Sequence, residues 1–386
     1  MEGAIRVWLE PEYDHGRTGA WMLDWPGAFA WGETRAGALA RVQSAVHRYN
    51  DWLAEHDESS PAPPIGGIRI VQEVAAFRPD GGHEVNAIFT EDDRTVTNRA
   101  METMIRRLGF ARDDLLAITS AARAFIAGGG RLEIEERTPE AQASGTATGR
   151  DVDGVLRHVA AAETWFVSRL EPNARYEGPR EPLDAHLAGS REFLVDGLRR
   201  MHRLQARGTL TPRADGKGEI WTLAKVLRRA LYHSLDHLEE LDRRLARGDG
   251  RVDRLELRKD AAIDAVELRA LFVASGMIGR AHDSDELTAR VASGSTETVS
   301  AWDTGRLIGF ARIISDEATN ALISTVAVAP RWQDRGLGRR LMLALMEGRE
   351  TLKLMLDARE GTEAFYDRLG FKPVGTARVR PRGKQT

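Results

Sequence analysis

Between residues 94 and 250 the chain is written for helices throughout, and no other stretch constrains the fold as much. Apolar residues recur near helical spacing in four long runs, Ala111–Ala127, Val152–Leu170, Leu183–Gln205 and Thr222–Ala246. Asp151 stands where it can cap the second run, and Gly248 and Gly250 help stop the fourth. Polar connections bearing glycine and proline separate the runs. Helices with one apolar stripe each bury those stripes on one another. The economical arrangement is an up-down bundle of four antiparallel helices.

The flanks have another texture, as expected of a 386-residue chain, which is too long for one ordinary core. Ala4–Leu9 and Ala20–Leu23 read as short strands. Thr34–Glu55 repeats apolar residues at Ala38, Leu39, Val42, Ala45, Val46, Tyr49 and Leu53, the pattern of a helix. The result is a small β-β-α unit, followed by a linker or long turn over residues 58–67, where two proline clusters meet paired glycines. Candidate strands Ile68–Phe77 and His83–Thr90 follow as a β extension, joined by a turn at residues 79–82. Beyond residue 250 the elements alternate. Strands are expected at Leu255–Leu257, Thr298–Trp302, Leu307–Ile314, Ala321–Val328, Leu352–Leu356 and Lys372–Arg380. Helices are expected at Ala262–Val273, Ser284–Ala292, Gly338–Glu347 and Thr362–Leu369. The fold class is therefore multidomain α+β, divided at 1–93, 94–250 and 251–386.

Composition removes several functions. A formal net charge of -3 gives no global basic field for nucleic acid or acidic lipid. Glu10, Glu12 and Asp14 also argue against RNA binding in the first unit. Cysteine is absent, which excludes disulfides, thiolate nucleophiles and cysteine-ligated zinc, so any metal sits on His, Asp or Glu. No apolar run approaches the roughly 20 residues of a membrane span, and the N-terminus lacks the pattern of a signal peptide. A cytoplasmic location is the expectation, and a homodimer is left open.

The stretch from Leu322 to Met342 carries the clearest chemistry. A strand ends at Pro330, and a short loop with Gly336 and Gly338 opens a helix. Glycines let backbone N–H groups approach an anion, and a helix start aims unsatisfied N–H groups and its positive dipole end at the same point. That is a cradle for a diphosphate. Arg335, Arg339 and Arg340 add charge nearby. The spacing lacks the lysine and hydroxyl of a P-loop and the glycines of a dinucleotide fold. The pattern Gln333-x-x-Gly336-x-Gly338 resembles the acyl-CoA loop of the GNAT superfamily of acyltransferases, whose sheet is mixed. Leu354–Ala358 followed by Ala364–Phe371 resembles that family's fifth strand and the helix and turn after it.

The resemblance implies acetyl-CoA as co-substrate, held by Gln333, Asp334, Arg335, Gly336, Leu337, Gly338 and Arg339, with backbone groups of Val326 and Val328 along the pantetheine. It implies direct attack by the amine of a small molecule or peptide, with Tyr366 protonating the departing thiolate, although a tyrosine here can equally pack in a core. Where many relatives carry an acid early on the fourth strand, this chain has Thr325, which leaves the general base unassigned.

His233 and His237 stand one turn apart on the fourth helical run, with both imidazoles toward one side, and His158 lies on the second run. Such pairs are often plain surface or core histidines. The segments around them, with Glu163 and Trp165 following His158, resemble the DinB superfamily of metal-dependent helical bundles. That resemblance implies that His158, His233 and His237 ligate one divalent metal, zinc, nickel or iron. The residues from Gly19 to His56 loosely resemble HicB-like units. Trp21, Trp25, Phe29 and Trp31 there can form a ligand platform or a packed sheet face. Two rival functions remain: a DinB-like thiol S-transferase with an accessory acetyltransferase, and sensor modules that regulate the acetyltransferase.

Overall fold

The computed structural model describes residues 3–77, 85–133 and 149–375. The first sheet is built from β1 (Ile5–Glu12), β2 (Arg17–Trp21), β3 (Phe29–Gly32) and β4 (Ile68–Glu73), in the order β3-β2-β1-β4. Helix α1 (Arg35–Glu55) follows β3, and the Thr34 side chain caps it by accepting from the Gly37 N–H. The unit is thus larger than the expected β-β-α. The third strand is too short to have shown a period, and β4 is no separate extension, since it pairs parallel to β1. The turn at residues 79–82 lies outside the described residues, as do His83 and Glu84. Residues 85–90 of the candidate strand there carry only an isolated bridge from Val85 to Phe77.

Four long helices follow: α2 (Asn98–Ala127), α3 (Val152–Leu170), α4 (Leu183–Ala206) and α5 (Leu223–Gly248). Asp151 accepts from the Gly154 N–H at the start of α3, and Thr222 caps α5. The expected up-down order needs correction. Along α3 and α4 the contacts advance together, Glu163 to Ser190, Val167 to Gly197 and Glu171 to Arg200, so these neighbours are parallel. Between α3 and α5 they run oppositely, His158 to His237 and Trp165 to Trp221. Helix α2 is antiparallel to α3, Arg112 meeting Glu163 and Arg123 meeting Asp153. The order is up-down-down-up. The reason is the connection over residues 171–182, whose reach of ~40 Å exceeds the ~28 Å length of α3 and lets the chain return before α4 begins.

Buried Glu163 ties three of these helices together. It accepts from Arg112 of α2 at 2.7 Å, and from Arg191 at 2.7 Å and Ser190 at 2.6 Å on α4. Removing one partner from a buried ionic cluster strands the others. Glu163→Leu is therefore expected to lower stability by about 3 kcal/mol or more, read by urea unfolding, and a loss under about 1 kcal/mol would contradict it.

One apolar core is shared by the first sheet, α1 and the long helices: Ile5, Val7, Val42 and Leu53 join Leu108, Phe166, Leu194 and Val226. The other face of the sheet packs Trp8, Trp21 and Tyr13 on Phe89 and on Tyr232 of α5. Trp25 is buried in the shared core as well, so the aromatics mainly pack. Glu10 is buried too, accepting from Trp21 Nε1 at 2.7 Å and the Ala87 N–H at 2.6 Å, and it presents no acidic surface.

The last part is a five-stranded sheet of β5 (Glu256–Lys259), β6 (Glu297–Asp303), β7 (Arg306–Ser315), β8 (Asn320–Val328) and β9 (Lys353–Leu356), in the order β9-β8-β7-β6-β5. Only β8 and β9 pair in parallel. Helix α6 (Ala265–Ala274) and α7 (Asp285–Ser293) pack Leu268, Phe272 and Val291 on Trp302 and Phe310. Helix α8 (Leu337–Met346) packs Leu337, Leu341 and Leu345 on Val299, Ile308 and Ile313. The short α9 (Glu363–Asp367) follows β9. Residues 372–375 form no strand, and the remainder of the expected final strand lies outside the described residues. No helix among the described residues is long and apolar enough to cross a membrane.

Candidate functional site

The loop before α8 is shaped by two left-handed residues, Asp334 at φ 61° and Gly336 at φ 99°. Gly336 occupies the N-cap of α8 with no side-chain cap, so the first N–H groups of that helix face outward without an intrahelical partner. A Cβ added at Gly336 would meet nothing within 4 Å, which leaves open space above the backbone where an anion would sit. Leu337 is buried and contributes backbone alone, while Gly338 lies beside Phe365 and Val328.

Other parts of the chain hold this loop in place. Arg247 of α5 donates from Nε and Nη2 to the Asp334 carbonyl at 3.0 and 2.7 Å. Arg335 is buried and donates to Asp242 of α5, with Nε at 3.0 Å. Gln333 Nε2 donates to the Val328 carbonyl at 3.0 Å and to Ser44 Oγ of α1 at 3.2 Å. Arg340 donates to the carbonyls of Val252 and Leu255. Of the three arginines expected to supply charge, Arg335 is thus neutralised by Asp242 and Arg340 is turned to the protein backbone. Arg339 is exposed at the cleft. The buttress was not visible in the sequence, because Asp242 and Arg247 lie about ninety residues earlier.

The parallel ladder of β8 and β9 ends at Ile323 opposite Leu356, while β8 continues to Val328. Its register against β7 shifts between Ile323 and Thr325. The two strands therefore part, and Val326, Val328, Leu356 and Asp357 line the opening. Tyr366 on α9 lines it as well, half-buried, with Phe365 at 4.9 Å and Phe371 at 6.2 Å between ring centroids. Burial pushes its phenol pKa up, with Arg359 opposing, so the hydroxyl keeps its proton near neutral pH. Thr325 is buried and accepts from Arg312 Nε at 3.2 Å, which leaves no base at that position.

The three histidines converge. Their ligand atoms all lie within 4.8 Å of one another. His158 Nε2 and His233 Nε2 are 3.0 Å apart, and His237 completes the group with ring centroids 4.9 Å from His158 and 4.6 Å from His233. His237 Nδ1 donates to Glu240 Oε2 at 2.8 Å, which fixes the tautomer and gives Nε2 the lone pair.

A single cleft of about 2150 Å³ connects these features. His158 and His233 line one region and Gly336, Val328 and Tyr366 another, with walls from β3, α1 and α5 between them. Several charges in it are fixed. Burial alone would raise the Glu239 carboxyl, yet Arg48, Arg335 and Arg243 pull it down to about 2. The sequence reading missed three wall residues, Tyr13, Arg229 and Tyr232. Arg229 stands one turn before His233, a spacing that was legible. The Tyr13–Tyr232 hydrogen bond at 2.7 Å joins residues too far apart in sequence to be seen.

Residues 273–383 match the family described as acetyltransferase (GNAT) domain. Among solved structures, the chain is similar to a probable acetyltransferase of meticillin-resistant Staphylococcus aureus, at 22% identity over 34% of this chain and 99% of that one, with TM-score 0.31. It is similar to a GNAT-family acetyltransferase of Streptococcus pneumoniae at 18% identity, over 33% and 99% of the two chains, with TM-score 0.28. An aminoglycoside N-acetyltransferase solved with CoA is similar at 16% identity, over 34% and 96%, with TM-score 0.28. No curated protein matches. The C-terminal part of the chain is a GNAT acetyltransferase domain, and the protein is an acyltransferase.

Proposed function

We propose that the chain transfers an acetyl group from acetyl-CoA to an amine that enters through the shared cleft. The observation that carries this reading is the glycine-capped loop at Gly336 beside the parting of β8 and β9. The N–H groups of residues 336–339 would hold the diphosphate, and Arg339 would add charge at its edge. The opening between β8 and β9 would take the pantetheine. The amine nitrogen attacks the thioester carbon; a C–N bond forms and the C–S bond breaks. Tyr366 gives its proton to the leaving thiolate, and the ammonium formed on attack loses its proton to solvent or to a carboxylate of the cleft wall.

The test is acetyl-CoA binding to the full chain. Gly336→Val combines a β-branched residue at a left-handed φ with a side chain in the open space above the loop. Calorimetry is expected to record a loss of affinity of at least about tenfold, or about 1.4 kcal/mol. Unchanged affinity would remove the loop from the site.

The second reading concerns the histidine cluster, and its convergence favours it. His158, His233 and His237 would hold one divalent metal as a DinB-like centre. Three neutral imidazoles fit zinc, nickel or iron, and the Glu240 contact to His237 is the usual outer support. Such a metal would act as a Lewis acid with open coordination positions. An S-transferase role for this part, and a HicB-like assignment for the first sheet, rest on resemblance alone.

A further inference from the structure

Among the described residues, Arg229 is a cleft arginine with two guanidinium nitrogens that no group of the protein takes up. It lines the cleft from α5, with Nε and Nη1 buried and without a hydrogen-bond partner. No carboxylate among the described residues pairs with it. Glu10, close enough to be felt, spends its oxygens on Trp21 and the Ala87 N–H, and Glu219 pairs with Lys225 at 3.0 Å. The guanidinium instead stands over the rings of Trp21 at 5.7 Å and Tyr232 at 5.8 Å. Burial disfavours its charge while the two phenols, Glu10 and Glu219 favour it, so the guanidinium is charged, yet no group of the protein takes up Nε or Nη1. By contrast, Arg228 next to it is ion-paired, binding Asp92 at 2.6 and 3.0 Å. The pairing of one arginine and not its neighbour separates a structural residue from a receptive one.

We propose that Arg229 is the receptor for a monocarboxylate bound in the cleft beside the histidine cluster. The planar guanidinium matches a carboxylate. The buried Tyr13–Tyr232 pair beside it stays protonated, since burial raises both phenols, and only one of its two protons is used between them. The other is available to the ligand. One positive charge in an aromatic setting favours a monoanion. A phosphate dianion would be half compensated, and Asp14, Asp236 and Glu239 on the same cleft walls would repel it. Because Arg229 and His233 are one turn apart, a ligand held by its carboxylate would present its other end to the histidines. The proposal does not depend on a metal being there.

The experiment uses the full chain, metal-free, with acetate, benzoate and inorganic phosphate as probes against chloride at equal ionic strength. A carboxylate is expected to raise the melting temperature of the wild type. Arg229→Gln is expected to weaken carboxylate binding at least about tenfold, because it removes both the charge and the fork that would hold the ligand. Arg229→Lys keeps the charge without the fork and is expected to fall between them; it also serves should the Gln variant not fold. No carboxylate response in the wild type overturns the proposal, and so does an equal response in Arg229→Gln. A Gln variant that melts below wild type with its carboxylate affinity unchanged would make Arg229 a clamp between sheet and bundle. Stabilisation through Arg229 by phosphate and not by carboxylates would overturn the ligand class.

Discussion

Tyr366→Phe is expected to lower kcat by roughly 10²-fold while acetyl-CoA affinity stays within about twofold. The ring is held by Phe365 and Phe371, and removing one oxygen leaves that packing in place. What is lost is a proton that burial retains on the phenol. An interaction made only as the thiolate departs affects kcat and kcat/KM together and leaves ground-state binding alone. The measurement is steady-state kinetics with an amine acceptor found by screening, alongside calorimetry with acetyl-CoA. A kcat within about twofold of wild type would make Tyr366 a packing residue and leave the proton to solvent.

Untagged protein is expected to bind about one equivalent of divalent metal, and His233→Ala to weaken that binding by ~10²-fold or more. His233 is one of three imidazoles whose ligand nitrogens lie within 4.8 Å of one another, close enough to share an ion once the proton between His158 and His233 has left. Glu240→Gln tests the same site more gently. It keeps a contact to His237 Nδ1 but removes the negative charge, and a loss of ~10-fold is expected. Acetyl transfer should persist in both variants, because neither residue belongs to the loop or to the opening between β8 and β9. Metal analysis decides the matter. Less than about 0.2 equivalents, with no uptake of added zinc or nickel, would leave the histidines as packing residues.

Much of the candidate acetyl-transfer site was legible because its signals are local. A strand, a proline, two glycines and a helix start sit within about twenty consecutive residues, and each follows from backbone stereochemistry. The left-handed Gly336 is where only glycine is at ease. Helix α3 begins and ends as its period and the Asp151 cap require. Strand β3 was missed because four residues give no period to read. The bundle order was misread because a polar connection states its length but not its direction. Twelve residues can turn back at once or travel the length of a helix, and packing decides between them.

The sequence by itself determined the elements that local forces specify: four amphipathic helices, an alternating α/β segment, a glycine-capped helix start and a pair of histidines one turn apart. The i, i+4 spacing alone brings His233 and His237 together. Only the tertiary structure decided which distant residues meet. His158 reaches that pair because α3 runs opposite to α5. Asp242 takes the charge of Arg335, and Arg247 holds the Asp334 carbonyl, because α5 ends against the glycine loop before α8. Arg229 keeps two nitrogens without a hydrogen-bond partner because the nearest acids bind other groups. These outcomes depend on long-range packing, where small differences in burial and charge select among many compact arrangements, and no local pattern encodes them.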